Sequence, residues 1–271
     1  MSNKLLYVTQ EMDPFTTISE ISDVVRQLAP SMKDKGMDIR ILMPKFGIIN
    51  ERRHKLHEVV RLSGMNIIVD DDDFPLIIKV ATLAPYRLQI YFLDNEEFFK
   101  RKSIFVDDDG KDFEDNADRM VFFCKGVLET LKKFGWPPDI IHLHGWMTSL
   151  IPLYLKKVYN NEPIFQDSKI IYSAYDHTID EAFVANFKSK ATINELTEDD
   201  LSIFMHEDKV SLNHGAAMYS DSIIAGSEVL NDFVKDMAED KEILEYQFQE
   251  QLVEAYLGLY KSLTEDSDEA E

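Results

Sequence analysis

Apolar positions in this chain come in two rhythms, short unbroken runs and stripes that recur every three or four residues. The run at Lys4–Thr9 predicts a buried strand, and Ile21, Val24, Val25, Leu28 and Met32 then mark one face of a helix. Gly36 supplies the helix stop, and residues 39–43 predict the next strand before Pro44. Between residues 56 and 93 the runs shorten (59–62, 65–69, 76–83, 88–93) and polar or proline-containing breaks separate them, which predicts antiparallel hairpins inserted in a parallel plan. A long helix is expected over Asn116–Phe134, buried strands over 139–143 and 169–174 with an amphipathic helix over 148–159 between them, and a weaker strand over 222–225. The fold class is therefore α/β: a doubly wound, Rossmann-like parallel sheet with helices on both faces and an inserted antiparallel hairpin region.

This pattern occupies residues 1–235, expected to form one domain. Beyond it, Ile243, Leu244, Phe248, Leu252, Tyr256, Leu259 and Leu263 form a broad apolar stripe, so residues 236–263 are expected to be one acidic amphipathic helix. Its partner is either the protein's own core or another protein. Residues 264–271 are expected to be a frayed acidic tail.

Charge narrows the partners. The chain has 50 acidic and 29 basic residues among 271, a net charge of -21 that repels phosphate backbones and anionic lipid. Neither nucleic acid nor membrane is expected as a partner. No apolar run approaches the roughly 18 residues that span a bilayer, and residues 5–8 are too few for a signal-peptide core, so a cytoplasmic protein is expected. Cys124, the single cysteine, sits at helical spacing among Phe122, Phe123 and Val127 and reads as a small buried apolar group. The acidic runs Asp70 to Asp73 and Asp107 to Asp109 precede no calcium-loop pattern, because Phe105 and Asn116 occupy the first and last ligand positions around Gly110. They read as solvated turns, and no metal or other cofactor is expected.

Several blocks, in order, carry a family resemblance. Glu11, Pro14 and Phe15 follow the first strand, and Asp23, Val24 and Val25 lie inside the first helix. Tyr91 to Asp94, Phe99, Arg101, Gly110 and Asp115 to Ala117 form a middle block, and Trp136, Pro138, Asp139, His142, His144 and Trp146 a later one. In this arrangement the chain resembles the N-terminal domain of bacterial glycogen and starch synthases, glycosyltransferase family five. The resemblance implies one half of a two-domain GT-B transferase, the acceptor side of a cleft in which glucose passes from ADP-glucose to an α-1,4-glucan. The second nucleotide-binding domain of such enzymes has no counterpart in these 271 residues.

Departures from the family fall where the donor would be handled. Family enzymes have a lysine, a threonine and two glycines between first strand and first helix, a favourable place for a pyrophosphate. Here those positions are Thr17, Ile18, Ser19 and Glu20. Thr17 and Glu20 have the spacing of a capping box, which would close the helix end with the protein's own side chains. A phosphate oxygen about 5 Å from Glu20 would meet a repulsion of roughly 3 kcal/mol at an effective dielectric near 20. Elsewhere, Gly145 replaces the family's Asp, residues 173–176 read Ser-Ala-Tyr-Asp in place of Thr-Ile-His-Asn, and Ile179, Asp180 and Glu181 replace Tyr-Gln-Gly. His214 stands for a lysine, and Ser227-Glu228 for Ser-Pro.

Among retained positions, His144 matches the family's sugar-contacting histidine at the carboxyl end of a parallel strand, where open α/β sheets bind ligands. Its alternative is a histidine satisfied by its own protein. His142 shares its strand face, but no third ligand at metal spacing accompanies the pair. Asp115, Asn116 and Arg119 match a block near the acceptor cleft, although Asp and Asn also suit a helix start. Tyr91 and Trp146 complete the sugar-binding candidates, with packing as the competing role of Trp146. No catalytic residue is assigned.

The expected function is a glycogen or starch synthase-like acceptor-side domain that is not catalytic alone, with a glucan- or small-sugar-binding or a regulatory role. One alternative is the acceptor half of an ADP-glucose or UDP-glucose transferase that works with a separate nucleotide-binding chain. Another is a scaffold that contacts a partner protein through its C-terminal helix.

Overall fold

The computed structural model describes residues 3–177, 181–194, 196–206, 209–238 and 241–265. Ile179 and Asp180 of the family comparison and residues 266–271 of the expected acidic tail lie outside them. The elements in chain order are β1 (Lys4–Thr9), α1 (Ile21–Asp34), β2 (Asp38–Pro44), α2 (Glu51–His54), β3 (His57–Glu58), β4 (Met65–Val69), β5 (Asp72–Leu83), β6 (Leu88–Asp94), α3 (Glu96–Phe99) and α4 (Asn116–Phe134). Then follow β7 (Ile140–His144), α5 (Ile151–Lys157), β8 (Lys169–Ala174), α6 (Glu181–Ala191), β9 (Met205–His206), β10 (Lys209–Val210), α7 (Leu212–Tyr219), β11 (Ser222–Ala225), α8 (Asn231–Asp236), β12 (Glu242–Leu244) and α9 (Gln249–Glu265).

The main sheet runs β12-β11-β8-β7-β1-β2-β6-β5-β3, with β4 pairing β5. Every pairing from β12 to β6 is parallel, while β3, β4 and β6 meet β5 antiparallel. This is the α/β plan the two rhythms predict. The central strands β1 and β7 are buried along nearly their whole length, because helices cover both faces and leave no solvent side to alternate with. α1 and α9 pack together on one side, and α4 packs with α5 and α6 on the other. Leu5, Leu28, Ile41, Leu128 and Ile141 are fully buried in one continuous core, each such side chain stabilising by about 1.5–3 kcal/mol.

Three local expectations change. The run 59–62 is a turn after the two-residue β3. The helix expected over 148–159 is confined to α5, since Trp146–Thr148 first forms a 3₁₀ turn. The largest correction is at the C-terminus, where the stripe over 236–263 is not one helix. Ile243 and Leu244 form β12 and pair in parallel with Ile223 and Ile224, Phe248 lies in the following loop at 62% exposure, and α9 begins only at Gln249. An edge strand beside β11 satisfies backbone groups that a longer helix would leave open on the sheet, so ladder pairing overrides the helical spacing.

Leu252, Tyr256, Leu259, Tyr260 and Leu263 of α9 are buried. Polar contacts pin the helix along its length, from the Gln27 amide donating to the Gln249 carbonyl (3.2 Å), through Lys35 with Glu254 (2.7 Å), to Asn3 donating to Thr264 (3.1 Å). Among the described residues no helix is long and apolar enough to cross a membrane.

Candidate functional site

The carboxyl ends of β1, β7, β8 and β11 define one edge, formed by the loop 10–20, by His144 and Gly145, by residues 175–177, and by Gly226 and Ser227. Here the chain leaves β1 and immediately turns back. Glu11 is fully buried, and its carboxylate accepts bonds from the backbone N–H of Ile18 (2.5 Å), the N–H of Ser19 (2.9 Å) and the Ser19 hydroxyl (2.6 Å). Burial pushes the Glu11 carboxyl up from the ordinary range, opposed by those same hydrogen bonds. A carboxylate of the protein therefore occupies two N–H groups of the loop that precedes α1.

The capping box expected from Thr17 and Glu20 does not form. Glu20 is the N-cap with an already helical backbone (φ -59°, ψ -22°) and makes no side-chain cap bond. With the Ser19 N–H and hydroxyl both held by Glu11, the loop is closed from inside, and Glu20 points outward, exposed. Sequence reading placed Glu11 only in an opening motif, and nothing in its neighbours Gln10, Met12 and Asp13 marks a buried carboxylate.

His142 and His144 project from the same face of β7, both wholly buried, with ring centroids 4.0 Å apart. His142 Nδ1 lies 2.6 Å from the Tyr260 hydroxyl and its Nε2 2.8 Å from the Ser173 hydroxyl. Tyr260 also meets the Tyr7 hydroxyl at 3.1 Å. His144 Nδ1 lies 3.1 Å from the Tyr175 hydroxyl, whereas its Nε2 is buried with no hydrogen-bond partner. Burial holds both rings below the usual histidine range, His144 down to about 3 and His142 well down, with His144 as a further cause for His142. Both are neutral near pH 7. The histidine face expected to line an open cleft is covered by α9 through Tyr256 and Tyr260.

Gly145 follows with φ +87° and ψ 161°, a backbone region that only glycine adopts readily. A Cβ there would lie 2.4 Å from the Gln10 side chain, whose Oε1 accepts the Met147 N–H at 3.3 Å. The family's Asp is incompatible with this arrangement of Gln10.

Asp115, Asn116, Arg119 and Trp146 are gathered around the segment 98–105. Arg119 is fully buried; its Nε donates to the Phe98 carbonyl (2.8 Å) and its Nη1 to the Ile104 carbonyl (2.6 Å) and to Asn116 Oδ1 (2.8 Å). The Asn116 amide donates to the Phe105 carbonyl at 2.9 Å, and Asp115 pairs with Arg101. Burial, then the neighbouring Arg101, lowers the Arg119 guanidinium to about 10, still charged near neutrality. Trp146 packs on Phe105 and edge-on to Phe183, with ring centroids 4.9 and 5.9 Å apart. Tyr91 is not part of this group: its hydroxyl donates to Gln89 (2.8 Å) and its ring meets Phe134 at the far end of α4. Residues not taken as site candidates from sequence, notably Tyr175, Asn213, Tyr256 and Tyr260, supply much of the polar framework. Asn213 joins β8 to the edge by accepting from Tyr172 (2.8 Å) and donating to the Tyr175 carbonyl (2.9 Å). Cys124 is buried, its thiol donating to the Met147 carbonyl at 3.1 Å.

A mostly parallel sheet with a turn-and-helix after β1 and paired histidines ending its central strand defines a doubly wound α/β domain. The sequence model described as the starch synthase catalytic domain matches residues 4–246, and the chain belongs to that family. A glycogen synthase of Pelodictyon phaeoclathratiforme is 36% identical over 229 residues, covering 83% of this chain and 46% of that protein. One from Chlorobium chlorochromatii is 42% identical over 176 residues, covering 65% and 36%. The chain thus spans under half the length of these relatives. Among solved structures, the catalytic domain of starch synthase IV from Arabidopsis thaliana bound to ADP and acarbose superposes with a TM-score of 0.71 at 18% identity. That superposition covers 90% of this chain and 52% of that one, a likeness of fold.

Proposed function

We propose that this chain is a cytoplasmic, non-catalytic member of the starch synthase family, an acceptor-side domain whose role is binding or regulation. The observation that carries this reading is the loop 17–20, which holds neither the lysine nor the glycines of family enzymes and whose Ser19 N–H and hydroxyl are bonded to the Glu11 carboxylate. Transfer from a sugar nucleotide requires the leaving diphosphate to be neutralised, and a loop without a cation whose N–H groups already hold a carboxylate offers it little. Glu20 and Asp23 add negative charge at the same helix start, where a phosphate would approach.

The test is transfer of labelled glucose from ADP-glucose and UDP-glucose to maltoheptaose by the purified chain, with differential scanning fluorimetry against both nucleotides. No transfer and no rise in Tm with either nucleotide is the expected result. Transfer by the chain, or on addition of a separate nucleotide-binding protein, would replace this reading with the partner-dependent enzyme.

A second reading is favoured by one observation, the unpartnered Nε2 of buried His144. A buried ring nitrogen without a partner is costly, and a sugar hydroxyl is a group that would satisfy it. In this reading an α-glucan end or small sugar reaches His144 when Tyr175 swings aside. A Tm rise with maltoheptaose in the wild type and none in His144→Ala supports it; equal behaviour of the two removes it.

A further inference from the structure

Tyr7, Ile41 and His142 are partners across β1, β2 and β7 and share one face of the sheet. Arg40, next to Ile41, therefore projects from the other face, where α4 ends. Its guanidinium packs over two rings, 4.4 Å from the centroid of Phe134 and 4.5 Å from that of Trp136. Arg61 lies over the same Phe134 ring at 6.0 Å, and Tyr91 meets that ring edge-on at 4.7 Å. Two guanidinium groups thus gather around one aromatic cluster.

Neither guanidinium has an ion pair or a hydrogen bond with a described residue, in a chain with 50 acidic residues. Arg40 Nη1 is buried without a partner, while the side chain as a whole is half-buried. The nearby carboxylate of Asp38 accepts the Trp136 indole N–H at 2.9 Å instead. Burial lowers the Arg40 guanidinium, Tyr91 and Asp38 oppose that shift, and Arg61 adds to it. A partly desolvated guanidinium without an acceptor is costly, and a like charge beside it adds repulsion. The ring faces offset part of this cost, but they leave the N–H edge of the guanidinium without an acceptor. An anion in the guanidinium plane would relieve both the missing bonds and the repulsion.

We propose that Arg40, with Arg61 beside it, binds a carboxylate group. A carboxylate is planar and takes two parallel N–H bonds from an arginine fork, and the rings of Phe134 and Trp136 hold that fork in place. A single charge fits the local balance. Two guanidinium groups stand against Asp38 and about half a negative charge at the carboxyl end of α4, which leaves nothing to match the second charge of a phosphate. The inference goes beyond both readings above and shares no residue with them.

Isothermal titration of the full chain at constant ionic strength, with acetate, Nα-acetylglutamate amide and inorganic phosphate as probes, tests it. Tryptophan fluorescence is the second readout, because Trp136 lies against Arg40. Saturable one-to-one binding of a carboxylate is expected, weakened about tenfold in Arg61→Gln and lost in Arg40→Met, which keeps an unbranched apolar stem against the rings. Arg61 is exposed, so Arg61→Gln keeps the fold and tests the proposal even where Arg40→Met does not fold, as circular dichroism would reveal. Arg26→Gln, on α1 across the sheet, is expected to bind like the wild type. Preference for acetate identifies a free organic acid, and preference for the glutamate derivative an acidic side chain presented by a protein. A chain of net charge -21 does not gather anions non-specifically, so saturation reports a local site. Absence of binding by both carboxylates overturns the proposal, as does binding undiminished in Arg61→Gln. Phosphate bound as tightly as the carboxylates overturns the assignment of the ligand.

Discussion

The hydroxyl of Tyr260 lies 2.6 Å from Nδ1 of His142 across 118 residues of sequence, and it joins the last helix to the central strand inside the core. The same hydroxyl meets Tyr7 on β1. Tyr260→Phe keeps the ring and removes both contacts, leaving a buried imidazole nitrogen unsatisfied. The expected cost is about 1–3 kcal/mol of unfolding free energy, measured by urea unfolding. Tyr260→Phe as stable as the wild type would show that α9 is held by its apolar face alone.

The two histidines also set an acid limit. The His144 ring titrates near 3 in the folded chain against an ordinary 6.5, and His142 shifts in the same direction. Above 6.5 both are neutral in folded and unfolded chains alike and their contribution is fully present. As pH falls below 6.5 the unfolded chain takes protons that the folded chain refuses, so stability declines by about 1.4 kcal/mol per pH unit for each ring. The decline continues until the folded ring titrates, near 3 for His144. Glu11 works in the opposite sense: its carboxyl is raised from 4.5, so stability recovers a little as pH falls through its folded value. Unfolding at a series of pH values from 7.5 to 4 is expected to show a net fall, reduced in His144→Gln.

Glu11→Gln separates closure of the loop from its charge. An amide keeps one oxygen acceptor but presents an NH₂ group toward Ser19, whose hydroxyl now donates to the carboxylate. The variant is expected to lose about 1–2 kcal/mol and to gain weak affinity for sulfate or pyrophosphate beside the loop, where the carboxylate charge is gone, seen as a Tm rise absent from the wild type. If pyrophosphate raises Tm equally in both, the anion binds elsewhere and Glu11 does not block it.

Restoring the family's Asp at residue 145 is expected to damage the fold. Gly145 has φ +87°, and a Cβ would meet Gln10 at 2.4 Å. Gly145→Asp should cost about 1–3 kcal/mol for the backbone region, with further loss from displacing Gln10. Thermal unfolding of Gly145→Asp and of Gly145→Asp/Gln10→Ala checks this, because the double variant is expected to recover the steric part only. A Gly145→Asp chain as stable as the wild type would remove this account of the glycine.

Much of the fold was legible in the spacing of apolar residues, since β1, β2, β4, β6, α4, β8 and β11 fall where unbroken runs or helical stripes lie. Residues 236–263 misled because Ile243 and Leu244 continue a helical stripe while pairing with β11, and pairing to a distant strand leaves no local mark. The site was less legible for a related reason. His144 could be placed at a strand end, but its contact with Tyr175 depends on a residue 31 positions away, and the contact of α9 with His142 on one 118 positions away. Glu11 was visible as an acidic residue after a strand, and its acceptor role required the loop to return to it.

Arg119 shows how a position shared with a cleft motif serves the fold. Its guanidinium donates to the carbonyls of Phe98 and Ile104 and to Asn116, and so fixes both ends of a segment lacking regular pairing with the sheet. A lysine can place one ammonium among these acceptors but cannot reproduce the planar fork. Arg119→Lys is therefore expected to lose about 2–4 kcal/mol, since a buried carbonyl is left unpaired and a buried charge poorly held. Hydrogen exchange distinguishes the cause. Faster exchange confined to the segment 98–105 and the start of α4 is expected, with β1 and β7 still protected. Uniform acceleration would instead mean that Arg119 supports the whole core, and unchanged exchange would mean that its bonds contribute nothing to holding the segment.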